Sequence, residues 1–333
     1  MELSEDDLIA AIRRMLSGDA PGVVIGPGDD AAVVEPSAAS QVLTTDMLLE
    51  DVHFERQTIS PHDLGAKAIV VNVSDLAAMA ASPRYALVAI GLPAGIDAPW
   101  VVELYGGMLA ACEEYALSLI GGDTNRADRI TLAVTVVGEV APGRAVTRAG
   151  AHPGDLIVVT GSLGAAAGGL VLSRQHPSKL GEGLRASWGR PLLGALHRPV
   201  ARVGEGQTLA QAGATAMMDL SDGLARDLYR LCAESGVGAR VDLSRVPVAA
   251  ALQQAAVPLG VDALELALSG GEDYELLATI DPADVEAARR ELDDRYGVTL
   301  TTIGGITQEP SVVAVDVDGR ESPLAAAGWD HFA

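Results

Sequence analysis

Acidic residues cluster with glycines or hydroxyls at five places along the chain, and this placement is the clearest sign of chemistry in the sequence. The five runs are GPGDD at 26–30, TTD at 44–46, GGDTN at 121–125, DLSDG at 219–223 and GGED at 270–273. Carboxylate and hydroxyl oxygens are ligands that Mg²⁺ prefers. Glycines allow backbone N–H groups to approach phosphate closely. Each run could be only a turn, a strand end or a helix cap by itself, but together they favour a site for metal and phosphate.

A further acid, Asp75, lies inside a predicted helix within the apolar run at 68–81, AIVVNVSDLAAMAA. An unpaired carboxylate facing a core is costly. Asn72 precedes it by three residues, so both side chains project from one helix face. The pair either caps something structural or contributes to the metal site.

The composition predicts a globular and strongly acidic protein. Of 333 residues 49% are hydrophobic but only 3% aromatic, and 45 acids against 23 basic residues give a net charge of −22. This charge argues against nucleic-acid and anionic membrane partners. Cys112 and Cys232 lie in apolar helical patterns and are expected to be buried, reduced thiols. With no signal peptide and no apolar run of about 20 residues, we expect a soluble, cytoplasmic protein.

Strands that alternate with helices predict an α/β and α+β fold. The predicted helices cover about 4–18, 61–81 and 97–118, and another starts at 163; GGDTN is predicted to end a strand. Residues 174–206 are predicted to be rich in loops. The Pro- and Gly-containing stretch at 141–155 is typical of a linker, so we predict domains at 1–144 and 145–333.

The familiar nucleotide signatures are missing. The sequence contains no G-x-x-x-x-G-K-[ST] loop, no protein-kinase catalytic set and no G-x-G-x-x-G that opens a βαβ unit. No His and Cys cluster has zinc spacing. Phosphate binding must therefore follow another scheme.

Taken in order, several motifs resemble the thiamine-monophosphate kinase family, which belongs to the aminoimidazole-ribonucleotide synthetase-like superfamily. These motifs are GPGDD (26–30), TTDMLLEDVHF (44–54), AKAIVVNVSDLAAMAASP (66–83), GGDTNR (121–126), AVTRAGAHPGD (145–155), DLSDGLARDL (219–228), LSGGEDYEL (268–276) and GWDHF (328–332). The resemblance implies an N-terminal ATP- and magnesium-binding sheet domain that forms a homodimer, and a C-terminal α+β domain that completes the active site. It also implies ATP-dependent phosphorylation of thiamine monophosphate to thiamine diphosphate.

The resemblance carries the family's site residues onto this chain. The implied Mg²⁺ ligands are Asp30, Thr44, Thr45, Asp46, Asp75, Asp123, Asp219 and Asp222. The implied ATP contacts are Tyr105, Gly122, Asp123, Arg148 and Ser221. The implied substrate contacts are His53, Glu272 and Trp329.

The expected mechanism is direct in-line transfer with several Mg²⁺ ions and ATP as co-substrate, and whether K⁺ assists stays open. Because the attacking phosphate oxygen is already ionised, no acid/base or covalent catalytic residue is expected. Selenophosphate synthetase would need a reactive Cys near the N-terminus, and the carbamoyl dehydratase a C-terminal Cys; this chain has neither. A non-catalytic metal or nucleotide sensor and a structural dimerisation module are the alternatives from other classes.

Overall fold

The chain forms two compact units in the computed structural model, in which residues 11–16, 20–27, 31–175 and 177–330 are described. The first unit comprises Met1–Leu76 and Ala81–Gly143, and the second comprises Ala77–Ala80 and Arg144–Ala333. In the described part of the chain, no helix is both long enough and apolar enough to cross a membrane.

The first unit contains a two-stranded and a four-stranded sheet. Its elements are α1 (11–15), β1 (Val23–Ile25), β2 (Val33–Val34), β3 (Ser40–Leu49), α2 (Pro61–Ala78), β4 (Ser82–Leu92), α3 (Ala98–Glu114), β5 (Ser118–Arg126) and β6 (Thr131–Val140). The large sheet has the order β3-β6-β4-β5, and only the β4–β5 pair is parallel. Of the predicted first helix, only residues 11–15 are helical within the described residues.

One face of the four-stranded sheet is buried and the other is open. Along β6, buried and partly exposed residues alternate at every position, as expected for a strand with one covered face. Helices α2 and α3 meet through two glycines: a β-carbon on Gly65 would lie 1.9 Å from the carbonyl oxygen of Leu104, and one on Gly107 would lie 1.8 Å from that of His62. Only glycine permits this close approach.

The second unit is built around a seven-stranded sheet of order β13-β12-β9-β11-β7-β10-β8. Its strands are β7 (Leu156–Thr160), β8 (Ala216–Asp219), β9 (Gly238–Asp242), β10 (Leu276–Ile280), β11 (Leu300–Thr307), β12 (Val312–Val315) and β13 (Glu321–Pro323). Its helices are α4 (Ala165–Ser173), α5 (Pro177–Arg185), α6 (Gly189–His197), α7 (Val203–Gln211), α8 (Leu224–Ser235), η1 (Leu243–Arg245), α9 (Ala250–Leu259), α10 (Ala263–Ser269) and α11 (Val285–Tyr296).

The central strands of this sheet are covered on both faces. Ile157 and Val159 of β7 belong to one apolar cluster, whereas Val158 between them belongs to another. All five residues of β10 are buried. These strands are therefore continuous apolar runs in the sequence, which is how fully buried strands differ from half-buried ones.

One prediction about local structure was wrong. Residues 174–206 contain the helices α5 and α6 and the start of α7. Glycines in this region allow helices to pack closely, since a β-carbon on Gly189 would lie 2.0 Å from the carbonyl oxygen of Gly183. GGDTN forms the C-terminal part of β5, which continues to Arg126. Pairing with β4 sustains this strand despite its two glycines.

Candidate functional site

In the first unit, β3 and α2 bring three of the predicted metal ligands into one hydrogen-bonded cluster. The Thr44 hydroxyl donates to Asp75 Oδ2 at 2.6 Å, although 31 residues separate them. The Asp46 backbone N–H donates to Asn72 Oδ1 at 2.9 Å. Asn72 is fully buried, and its amide nitrogen donates to the Ala68 carbonyl at 3.0 Å. Asn72 and Asp75 thus act from one face of α2, and Asn72 holds the strand that carries Thr44 and Asp46.

Thr45 projects differently from its neighbour. Its hydroxyl donates to the Val134 carbonyl on β6 at 3.0 Å and accepts from the Thr135 hydroxyl at 3.1 Å. Successive strand residues point to opposite faces of a sheet. The structure therefore brings the side chain of Thr44, but not that of Thr45, to Asp75.

Strand β5 carries Gly122 and Asp123 beside β4. A β-carbon on Gly122 would lie 2.0 Å from the Val88 carbonyl oxygen, so this position requires glycine for packing alone. The Asp123 carboxylate is exposed and accepts a hydrogen bond from the Asn125 amide. An exposed carboxylate that is bound to a neutral amide can still accept a cation or a polar ligand.

Tyr105 lies on α3 and is 4% exposed. Burial raises the pKa of its hydroxyl to about 12, and a hydrogen bond with the Thr124 side chain opposes this shift. The phenol is therefore neutral, and it is directed at the residue next to Asp123.

His53 lies in the turn that follows β3. The Leu49 backbone N–H donates to His53 Nδ1 at 3.0 Å. In the neutral imidazole one nitrogen accepts and the other carries the proton, so the proton of neutral His53 resides on Nε2. The turn is anchored by Glu50, whose carboxylate accepts the Ile130 backbone N–H at 3.0 Å. Its tight path places Asp51 at a φ of 65°.

In the second unit, the loop between β8 and α8 carries Asp219, Ser221 and Asp222. Asp219 ends β8 and is 3% exposed. The backbone N–H groups of Ser221 and Asp222 both donate to Asp227 Oδ2, at 3.1 and 3.0 Å. Arg230 contacts Asp222 at 2.6 Å and Asp227 at 2.8 Å. The first turns of α8 thus hold this loop through one buried carboxylate and one guanidinium.

The charge balance around Asp227 is unusual. The pKa of Asp227 is raised to about 6: burial raises it most and the nearby Asp222 charge adds to the rise, whereas the backbone donors and Arg230 oppose it. Neither Asp227 nor Arg230 could be recognised as a site residue from the sequence. An acid in the first turn of a helix is ordinarily a favourable partner of the helix dipole, so their spacing carried no separate signal.

Backbone hydrogen bonds join this loop to the GGED run. Glu272 N–H donates to the Ser221 carbonyl at 2.8 Å, and Tyr274 N–H donates to the Leu220 carbonyl at 2.9 Å. Glu272 and Tyr274 have φ angles of 67° and 52°, a region that non-glycine residues rarely adopt. Such strain is found where surrounding structure over-determines a functional segment.

The C-terminal segment joins the same cluster. The Trp329 backbone N–H donates to the Asp222 carbonyl at 3.0 Å, and Trp329 is 46% exposed. Arg226 on α8 contacts Asp330 at 2.9 Å. The second unit therefore brings together Ser221, Asp222, Glu272 and Trp329; His331 and Phe332 of the GWDHF motif lie outside the described residues.

Arg148 lies elsewhere in the second unit. Its carbonyl accepts the hydroxyl of Ser235, the last residue of α8, at 2.9 Å. The loop with Ser221 precedes the first residue of α8, so the helix separates the two places by about 17 Å. Arg148 is an exposed residue.

The donor chemistry fits Mg²⁺, although the described residues form no compact cage. Among the described residues, no three His, Cys, Asp or Glu side chains lie close enough to hold a metal by themselves; Asp30 lies outside those residues. Mg²⁺ commonly uses one or two carboxylates and completes its shell with waters and substrate phosphates. The Thr44–Asp75 pair and the neighbouring Asp46 supply such oxygens.

Comparison with known proteins identifies the family. Residues 28–140 match the N-terminal domain, and residues 152–317 the C-terminal domain, of AIR synthase related proteins. The thiamine-monophosphate kinase of Escherichia coli strain K12 is 37% identical over 337 aligned residues, which cover 100% of this chain and 99% of the relative. The chain belongs to the thiamine-monophosphate kinase family.

Solved structures of the thiamine-monophosphate kinase family share the fold. The enzyme of Stenotrophomonas maltophilia K279a matches with a TM-score of 0.81 at 36% identity, covering 98% of this chain and 99% of that one. The structure described as AaThiL complexed with AMPPCP and TMP matches with a TM-score of 0.76 at 33% identity, covering 99% and 98%. The family resemblance and the predicted α/β and α+β fold are thereby confirmed.

Proposed function

We propose that the chain transfers the γ-phosphate of ATP to thiamine monophosphate and so forms thiamine diphosphate. The observation that carries this proposal is the near-complete match to AaThiL, which was solved with AMPPCP and TMP. AMPPCP resembles ATP but has a carbon bridge in place of an oxygen. A protein that binds both molecules binds both partners of a phosphoryl transfer.

The proposed mechanism is direct in-line transfer between two bound anions. The proposed ligands of several Mg²⁺ ions are Asp30, Thr44, Thr45, Asp46, Asp75, Asp123, Asp219 and Asp222. Bound magnesium would supply charge neutralisation of the phosphates. The protein's own contribution is to orient these oxygens: Asn72 holds the Asp46 backbone, and Thr44 holds the Asp75 carboxylate.

The proposed nucleotide contacts are Tyr105, Gly122, Asp123, Arg148 and Ser221. Tyr105 has a neutral hydroxyl already engaged with Thr124, which favours a packing contact over a charged one. The guanidinium of Arg148 offers a forked donor suited to phosphate oxygens.

The proposed substrate contacts are His53, Glu272 and Trp329. Because Nδ1 of His53 accepts from the Leu49 backbone N–H, a hydrogen bond from neutral His53 to a substrate phosphate would come from Nε2–H. The Glu272 carboxylate would pair with the thiazolium cation, and the half-exposed Trp329 ring would stack on a flat heterocycle. No side chain is assigned as a general base, since the attacking phosphate oxygen is already ionised at neutral pH.

The test is ADP formation from ATP in the presence of thiamine monophosphate and Mg²⁺, measured by chromatographic separation of the nucleotides. We expect turnover well above the control without thiamine monophosphate, and Asp46→Asn should lower it by about a hundredfold or more. Asp128→Asn, an exposed acid in the β5–β6 turn, is the matched control and should retain full activity. Turnover equal to the ATP-only control would refute the kinase proposal. Exchange of K⁺ for Na⁺ in this assay tests for a monovalent-cation requirement.

We further propose that the first unit forms a homodimer through the open face of its four-stranded sheet. Leu43, Met47 and Leu87 on this face are 62%, 54% and 41% exposed, although strand residues of this kind normally lie under cover. A second copy of the chain would bury them. Light scattering after size exclusion should give a dimer for the native chain and a monomer for Leu43→Glu/Leu87→Glu. Val257→Glu, at a position 91% exposed in the second unit, should leave the dimer intact.

A further inference from the structure

The Asp227–Arg230 pair on α8 contacts the proposed nucleotide and metal loop at its backbone and at a carboxylate. Asp227 is fully buried, and its Oδ2 receives the two consecutive backbone N–H groups of Ser221 and Asp222. Its other oxygen, Oδ1, receives Arg230. Both oxygens of this carboxylate are thus committed to the loop or to the arginine.

Arg230 completes a closed arrangement. The same guanidinium nitrogen that contacts Asp227 also contacts Asp222 Oδ2 at 2.6 Å. Asp222 is therefore held twice, at its backbone nitrogen by Asp227 and at its carboxylate by Arg230. Two carboxylates and one guanidinium leave a net charge of −1, so the loop keeps an anionic character while one of its charges is balanced.

The backbone conformation at the start of α8 is tightly constrained. Gly223 at the start of α8 has a φ of 115°, and a β-carbon there would lie 2.8 Å from the Ser269 backbone carbon. Gly223, the N-cap residue of α8, has no side chain that could cap the first turn of the helix. Asp227 supplies the acceptor for the two N–H groups that precede Gly223.

We propose that Asp227 and Arg230 are positioning residues, which set the orientation of the Ser221 backbone and the Asp222 carboxylate for nucleotide binding. This inference rests on the proposed function only in its choice of ligand. Arg230 acts through Asp222, and Asp227 acts through the two backbone N–H groups.

The decisive variant is Arg230→Gln, because the Arg230 side chain is 37% exposed and its loss should leave the fold intact. Calorimetric titration with AMPPCP and Mg²⁺ should show binding about tenfold weaker than in the native protein, the effect of one lost charge-assisted hydrogen bond. Arg230→Lys should recover part of the loss. Arg240→Gln is the matched control, since Arg240 makes an ion pair of the same kind with Glu321 at 2.8 Å on the far edge of the sheet.

A double-variant cycle separates positioning from general support. In an Asp222→Asn background, Arg230→Gln should add less than about a twofold further loss, because its route of action is already gone. Additive losses, or equal affinities of Arg230→Gln and Arg240→Gln, would overturn the inference. Asp227→Asn is a second variant and should weaken binding while a cooperative thermal transition is retained. Native protein that binds AMPPCP but forms no ADP with thiamine monophosphate would overturn the proposed function alone.

Discussion

The ion-pair network around Arg202 offers a quantitative test of how the second unit holds its loops. Arg202 donates to both carboxylate oxygens of Glu275, at 2.8 and 2.6 Å, and contacts Glu205 at 3.3 Å. The Thr160 hydroxyl donates to Glu275 at 2.6 Å. The three charged side chains are between 8% and 19% exposed. The backbone carbonyl of Glu275 in turn receives Leu220 N–H at 2.8 Å, so the network is joined to the loop that carries Ser221.

The structure predicts an order of effects and not only a direction. Arg202→Met leaves two buried carboxylates without their cation and should cost about 3–5 kcal/mol of unfolding free energy. Glu275→Gln should cost less, about 1–3 kcal/mol, because Arg202 keeps Glu205 and the amide oxygen can still accept. The double variant leaves only Glu205 unpaired, so its cost should fall short of the sum of the single costs by about 1 kcal/mol or more.

Fluorescence can follow the second unit alone. The chain has three tryptophans, and Trp188 and Trp329 lie in the second unit whereas Trp100 lies in the first. In a Trp100→Phe background, urea unfolding monitored by tryptophan emission therefore reports the unit that contains the network. This choice matters because a chain with two units need not unfold in one step.

Two results would refute the reasoning. If Arg202→Met and Glu275→Gln shift the urea midpoint equally, the second carboxylate of the network, Glu205, contributes nothing to stability. If the double variant loses the full sum of the single costs, the charges act independently and the network is not a unit. Arg240→Gln, which breaks an exposed ion pair, should lower the free energy of unfolding by less than about 1 kcal/mol.

Three further predictions follow from local geometry. Burial raises the pKa of the Cys112 thiol to about 12 and that of Cys232 to about 11; since the thiolate is the reactive form, a thiol reagent at pH 8 should label neither in the native protein and both after denaturation. Gly107→Ala would place a β-carbon 1.8 Å from the His62 carbonyl oxygen and should lower the thermal midpoint of the first unit sharply or prevent its folding, whereas Gly143→Ala meets no atom within 4 Å and should cost only the strain of its φ. Glu272→Gly relieves a φ of 67° and should be about 1 kcal/mol more stable than Glu272→Ala. Both variants should lose affinity for thiamine monophosphate in a calorimetric titration. Equal stabilities of the two variants would contradict the backbone strain.

The elements that sequence patterns predicted well are those whose pattern is local. The helices predicted at 61–81 and 97–118 correspond to α2 (Pro61–Ala78) and α3 (Ala98–Glu114). The region 174–206 failed because its glycines serve a tertiary purpose. Gly189 approaches the Gly183 carbonyl so closely that a β-carbon would lie 2.0 Å away. No local rule distinguishes such a glycine from one in a turn.

The candidate site shows the same division between residue type and tertiary placement. Carboxylates near the ends of strands could be selected from the sequence, and Asn72 and Asp75 could be assigned to one helix face. The alternation of side chains along a strand is a local rule and is enough to separate Thr44 from Thr45. The contact between Thr44 and Asp75 could not be inferred, because it depends on how α2 lies against β3. Arg230 was hidden for a similar reason, since its partner Asp222 belongs to the preceding loop.

The main chain carries the geometry of the second-unit cluster. Glu272 is joined to Ser221, and Trp329 to Asp222, by backbone hydrogen bonds of 2.8 and 3.0 Å. A substitution that removes only the side chain of Glu272 or Trp329 leaves both bonds in place. Such variants therefore report on ligand contacts with little change in the scaffold, whereas Asp227→Ala removes an acceptor of the backbone itself. This difference separates ligand binding from structural support. Variants of the Glu272 or Trp329 side chain should lose function without losing stability. A loss of both function and stability is expected only where a backbone group loses its hydrogen-bond partner, as in Asp227→Ala.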